Sequence, residues 1–188
     1  MHTLISFFKH FVTVFFCLSV IPAYALEILH SHTDEIDDHF ILSLDVRINA
    51  DFVTVRNIIT DYDNIMTLND SIKVNNYLFR TGSTHYVHIE SEGCVLIFCK
   101  RVIQYLTIKE QGNSYIMVNT DPEKSSLSFG SDLFELVDEG ETTRLIYSQD
   151  MQPDFWIPPL IGSWLIESRL LEEALKTAQG IERVAQQD

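Results

Sequence analysis

The feature that most constrains this chain is its ending. Beyond Pro158 and Pro159, apolar residues fall at Leu160, Ile161, Trp164, Leu165, Leu171, Ala174, Leu175, Ala178, Ile181 and Ala185. That is helical spacing with one apolar stripe. Glu167, Arg169, Glu172, Glu173, Lys176 and Gln179 are expected on the polar side. Pro159 suits the first turn of a helix, and a helix of about 25 residues is roughly 38 Å long. A stripe of that length has to be covered, and the rest of the chain offers mainly strands to cover it.

The strand signal begins at Phe40, Leu42, Leu44, Val46 and Ile48, which alternate with Ser43, Asp45, Arg47 and Asn49. Strict alternation predicts a half-buried strand. Asp51 then caps a helix to about Thr60, with Phe52, Val55, Ile58 and Ile59 on one face. A second short helical turn is expected over Ile65 to Leu68. Strands follow at 72–80, 84–91, 94–109, 114–120, 126–137 and 142–150. Turn residues separate them, among them Thr81-Gly82-Ser83, Ser91-Glu92-Gly93, Gln111-Gly112-Asn113 and Asp121-Pro122. Gly130, inside a strand, predicts a bulge or a close backbone approach. The expected class is α+β: a curved antiparallel meander wrapped around the long C-terminal helix, with one or two short helices after the first strand. A widely curved sheet need not close against its helix, and the space left between them is a cavity.

The beginning of the chain reads as a targeting segment. Lys9 and His10 precede an apolar run from Phe11 to Ile21, then Pro22 and the small-x-small site Ala23-Tyr24-Ala25. Residues 1–25 are expected to be a secretory signal, which makes the protein exported, in the bacterial periplasm. Residues 26–38 then form a short acidic lead-in, poorly packed, and residues 39–186 the ligand-binding domain. His30, His32, Asp34, Glu35, Asp37, Asp38 and His39 in and beside the lead-in are expected to be solvated rather than metal-ligating. The whole chain of 188 residues fits one domain and carries a formal charge of −14. That charge disfavours nucleic acid and anionic headgroups as direct partners. Cys94 and Cys99 have no turn residue between them. On one extended strand they would lie about 16 Å apart on opposite faces, so they are expected to be free, buried thiols.

The order of elements resembles the START-like superfamily, also called the helix-grip or SRPBCC fold. The likeness is greatest to bacterial polyketide cyclase/dehydrase-type and coenzyme Q-binding-type proteins. It is carried by Ile48-Asn49-Ala50-Asp51-Phe52, by Ile59-Thr60-Asp61-Tyr62-Asp63, by Phe155-Trp156-Ile157-Pro158-Pro159-Leu160-Ile161-Gly162 and by Ile181-Glu182-Arg183. It spans about residues 38–186. It implies a helix-grip domain holding a hydrophobic small molecule such as a lipid, quinone or polyketide-like compound.

Candidate residues follow from strand parity. In Thr84–Glu90, His85 shares the apolar face with Val87 and Ile89, while Tyr86, His88 and Glu90 share the other. His85 is either a single polar group that orients a ligand or a satisfied core histidine. Tyr86, His88 and Glu90 are either an acid/base relay of a cyclase or dehydratase or a solvent-facing stripe. Lys100, Arg101 and Arg144 are candidates for an inward cation. Ligand contacts are expected from His85, Phe98, Phe129, Leu133, Tyr147, Trp156, Ile161 and Trp164. Phe155-Trp156-Ile157 is either a portal in transient contact with a membrane or a plug pinning the helix. No phosphate loop, metal-binding helix motif or nucleophile elbow is present, and no metal or cofactor is expected. The sequence thus favours a non-enzymatic binder or carrier. A cyclase/dehydratase-type enzyme and a protein–protein module without a cavity are the alternatives.

Overall fold

The computed structural model describes residues 26–187 except 96 and 158–161. The expected signal segment lies outside these residues. Eight strands form one antiparallel sheet: β1 (Glu27–Ile36), β2 (His39–Ile48), β3 (Ile72–Thr81), β4 (Thr84–Val95), β5 (Phe98–Gln111), β6 (Tyr115–Thr120), β7 (Leu127–Asp138) and β8 (Thr143–Pro153). Their order across the sheet is β1-β2-β8-β7-β6-β5-β4-β3. Two helices complete the fold, α1 (Phe52–Ile59) and α2 (Ser163–Ala185), with a 3-10 turn at Ile65–Thr67.

Strand β2 carries the alternation read from the sequence. Phe40, Leu42, Leu44, Val46 and Ile48 are all buried on the concave face. The outward residues pair instead: both Arg144 Nε and Nη2 donate to the Asp45 carboxylate, at 2.8 and 2.5 Å. That bidentate bond holds the Asp45 carboxyl below its usual range. Arg144 is therefore spent on the outer face. Asp51 caps α1 as expected, accepting from the backbone N–H of Val53 and Thr54.

Three expectations are corrected. Residues 26–38 are not a loose lead-in but mostly strand β1, hydrogen-bonded to β2 as the sheet's edge. The hairpin turns on Asp37 and Asp38, both at positive φ (53° and 63°), a conformation aspartate tolerates and two-residue hairpins require. His30 and His32 are exposed on this strand. Second, Ser91-Glu92-Gly93 is not a turn but a continuation of β4. Third, the chain reverses after Val95, which pairs with Phe98. The reversal brings Cys94 and Cys99 opposite each other with Cα atoms 4.0 Å apart, and they form a disulfide at the solvent-exposed hairpin end. The thiols are neither free nor buried, because the strand assumed to be straight is a hairpin.

Helix α2 crosses the concave face, and its two halves are held differently. Ala178 and Ile181 pack into a core with Leu44, Val46, Ile48, Val55, Leu136 and Leu145. The segment before β3 clasps the same half. Asn69 Nδ2 donates to the Glu173 carbonyl and carboxylate and to Thr177 Oγ1, at 3.0–3.2 Å, while Arg183 Nη2 donates to the Thr67 carbonyl at 2.6 Å. Gly180 is where helix and loop backbones meet. A Cβ there would lie 1.9 Å from the Leu68 carbonyl oxygen. A second core, around Val87, Leu106, Ile108, Ile116 and Val118 with Tyr62, fills the space under α1.

Gly180→Ala should therefore lower stability by about 1–3 kcal/mol, as overpacking does, despite the better helix propensity of alanine. Urea unfolding of the two proteins measures this. Equal or greater stability of the variant would show that the loop is not seated on the helix.

Candidate functional site

Toward its N-terminal end α2 leaves the core around Ala178 and Ile181, with Leu171 and Ala174 packed at its margin. The sheet curves away, leaving a cavity of about 480 Å³ between helix and strands. Its floor is apolar, with Leu44, Ile89, Val102, Phe134, Leu145 and Met151 from five strands. Its roof is Ile166, Leu170, Ala174 and Ala178, a ladder spaced by four along α2. Phe155, Trp156 and Ile157 from the loop after β8 stand at one end, beside Gly93, Cys99 and Lys100 of the disulfide hairpin. The Lys100 amine lies 4.9 Å from the centroid of the Phe155 ring, within cation–π range.

Polar residues interrupt this apolar wall, and two groupings among them are tightly bonded. In the roof, Arg169 donates to Glu173 at 2.7 Å and to Glu172 at 2.8 Å. The two charges that α2 contributes to the lining, Arg169 and Glu173, thus neutralise each other, and Arg169 Nε is left buried without a partner among the described residues. In the floor, Tyr147 Oη donates at 2.9 Å to Oδ1 of Asp132, a residue outside the lining. Burial pushes the Asp132 carboxyl up to about 6, although hydrogen bonds with Tyr147 and Gln149 pull it partly back. Burial, reinforced by the neighbouring Asp132, also raises the Tyr147 hydroxyl well above its ordinary value.

Searched by sequence, the chain matches no family model and no curated protein. Solved structures do match it. The Zhui aromatase/cyclase from Streptomyces sp. R1128 superposes with a TM-score of 0.67 at 10% identity, over 79% of this chain and 94% of its own. A START superfamily protein from Mycobacterium smegmatis gives 0.63 at 17% identity, over 78% and 97%. A STAR-related lipid transfer protein fragment from Xanthomonas axonopodis gives 0.59 at 13%, over 83% and 98%. The fold is the START-like helix-grip fold.

Within this START-like fold, the residues singled out from the sequence scatter. Tyr147 and Trp156 line the cavity. The side chain of Phe98, and Ile161, lie outside the described residues. Phe129 and Leu133 do not reach the cavity: counted in twos from the buried Leu127 they share its face, but a bulge between Leu127 and Phe129 shifts the count by one. Phe129 instead lies near His39, with ring centroids 5.3 Å apart. Inward parity on β7 belongs to Asp132 and Phe134, both missed by sequence reading: Phe134 lines the cavity, and Asp132 is bonded to the lining Tyr147. Gly130 beside the bulge is also a close approach, with Thr120 Oγ1 2.4 Å from where its Cβ would be.

Trp164 is two residues from Ile166, which is 200° around a helix. It lies outside the lining, 65% exposed. The same geometry brings Arg169 and Glu173, expected on the polar side, under the cavity roof. His85 faces inward but away from the cavity. It meets Tyr77 Oη at 3.1 Å and Glu110 Oε1 at 3.4 Å, and Glu110 binds Arg56 of α1 at 2.6 Å. The histidine is satisfied by the network that ties α1 to β4 and β5, and desolvation lowers its pKa although Glu110 opposes this. Tyr86, His88 and Glu90 sit on the outer face. There Tyr86 stacks on Phe79, His88 on Tyr105, and Glu90 binds Arg101 at 3.2 Å. They cannot serve the cavity, which removes them as its acid/base relay. The open volume also argues against a solidly filled interaction module.

The folded state holds the Asp132 proton more tightly than the unfolded chain, whose carboxyl titrates near 3.8. The stability this contributes is fully present below pH 3.8 and is lost as pH rises through about 6. Asp132→Asn cannot ionise. Relative to the parent, it should gain up to roughly 3 kcal/mol between pH 4 and pH 7. The lowered His85 acts on both proteins and cancels in the difference. Thermal unfolding at the two pH values checks this, and a pH-independent difference would show that the Asp132 carboxyl titrates in the fold as it does in the unfolded chain.

Proposed function

We propose that this chain is a non-enzymatic binder or carrier of one hydrophobic small molecule, held between the sheet and the first half of α2, and that it works outside the cytoplasm. The observation that carries the reading is the apolar cavity of about 480 Å³, within the size of small-molecule sites, roughly 300–1,000 Å³. Under α2 the wall charges Arg169 and Glu173 are paired with each other, and the other two, Glu92 and Lys100, are on solvent-exposed residues of the hairpin, so a guest beneath the helix meets a largely apolar wall. A lipid, quinone or polyketide-like compound suits such a wall. The lipid transfer protein among the similar structures favours the first of these, and the aromatase/cyclase the last. Export is supported by the leader-like residues 1–25 and by the Cys94–Cys99 disulfide, since disulfides persist in oxidising compartments.

One observation favours a second reading, a cyclase/dehydratase-type enzyme. A carboxyl near pKa 6, bonded to a tyrosine that lines the cavity, is suited to general acid/base work through that tyrosine. The two readings separate on Asp132→Asn. A carrier keeps its ligand capacity and shows no turnover in either form, whereas an enzyme loses cyclisation of a poly-β-ketone substrate.

Native mass spectrometry of the purified protein should find an apolar compound bound in one-to-one ratio. Ala174→Trp projects an indole into the cavity from the roof and should weaken binding of an apolar fluorescent probe at least tenfold, about 1.4 kcal/mol, while the fold still melts cooperatively. A protein that takes up no apolar compound, or whose uptake is indifferent to Ala174→Trp, would not be a carrier of this design.

A further inference from the structure

The hairpin that ends in the disulfide has an unusual tip. Between Cys94 and Cys99 the sequence is Val95-Leu96-Ile97-Phe98, without a polar or turn-forming residue. Hairpin turns facing water are ordinarily built from glycine, asparagine, aspartate and proline. Ile97 is 87% exposed, the most exposed large hydrophobic side chain among the described residues. The disulfide closes the hairpin directly behind it, so the tip is held out rather than left free to fold back.

Trp156, 76% exposed, lies on the loop after β8. The contact between Lys100 and the Phe155 ring joins that loop to the hairpin. Gly93, Cys99, Lys100 and Trp156 all line the cavity, so exposed Trp156 borders it and Ile97 projects from the hairpin two residues before Cys99. We infer that Ile97 and Trp156 form a docking tip that enters the interfacial zone of a zwitterionic lipid bilayer and brings the cavity mouth to the acyl chains.

The occupant follows from charge and from the cargo. Behind the tip, Lys100 and Arg101 are balanced by Glu90 and Glu92, with Arg101 bound to Glu90 at 3.2 Å. The chain as a whole carries −14. An anionic surface would repel it, and a basic patch that could overcome the repulsion is not in place at the tip. A neutral interface carries no such penalty, and tryptophan favours that depth. No helix of the described residues is long and apolar enough to cross a membrane, so this is contact at the interface. Resting on the carrier reading, the tip also answers a physical need. An apolar guest passing through water costs about 0.8 kcal/mol per CH₂ exposed, and a mouth pressed to the bilayer avoids that passage.

The test reads position 97 itself, so that residues 1–25 cannot mimic the result. Ile97→Trp is made with Trp156→Phe and Trp164→Phe, leaving one tryptophan. On phosphatidylcholine vesicles with brominated acyl chains, its emission should shift to the blue and be quenched. In a Trp164→Phe protein, Trp156 should be quenched too, and adding Ile97→Asp should reduce vesicle partitioning roughly tenfold or more, as expected for one buried isoleucine. The Ile97→Asp protein should still take up an apolar probe in vesicle-free buffer, which shows that fold and cavity are intact. An unquenched, water-like tryptophan at position 97 overturns the inference, including when the protein is held on the vesicle by another segment. So does a tip shielded by a protein partner but not by brominated lipid. If position 97 is quenched yet no apolar probe is taken up, the docking tip stands and the carrier reading fails.

Discussion

The structure depends on α2 being held hard at one end and not at the other. Over Ala178–Ile181 the helix is locked by close contact: a glycine pressed against the Leu68 carbonyl, and Ala178 and Ile181 in the β2 core. A helix of 23 residues is about 35 Å long, so fixing its C-terminal half sets where the other half must run. The sheet twists and curves beneath it and draws away from the N-terminal half. The cavity is the consequence, and it stays apolar because strand alternation turns only one face of each strand toward it.

Around that space, several polar groups meet partners. Arg169 binds Glu172 and Glu173 from its own helix, and Asp132 accepts from the neighbouring Tyr147. Isolated, each charge would be costly in an apolar wall. Paired, they leave a surface that is apolar in bulk with a few fixed polar points. His85, Tyr77, Glu110 and Arg56 make a comparable network, but under α1, where it braces the far end of β4 and β5. The molecule thus has a braced end and an open end. The open end carries the disulfide hairpin, the aromatic loop and the exposed Ile97.

Much of this was legible from residue order. The β2 alternation, the Asp51 cap, the meander and the helical stripe at the end each follow from short-range chemistry, and together they specify a helix over a curved antiparallel sheet. Parity along β4 correctly separated His85, Val87 and Ile89 from Tyr86, His88 and Glu90. Failures came where one local event changes the count. The bulge after Leu127 moved Phe129 and Leu133 outward and Asp132 inward. The reversal after Val95, unmarked by any turn residue, converted two distant thiols into a bridge. The edge strand β1 was missed because its exposed, acidic residues read like a tail, and its pairing partner β2 supplies the order.

The sequence alone determined β2, most of the later strands, both helices and which of their faces are apolar, since propensity, capping and period act within a few residues. Whether the hollow under α2 stays open, which residues border it, and which charges meet in its wall were decided only in the tertiary structure. These depend on the curvature of eight strands and the tilt of one helix. Both are set by long-range packing such as Gly180 against Leu68, which no short stretch of residues encodes.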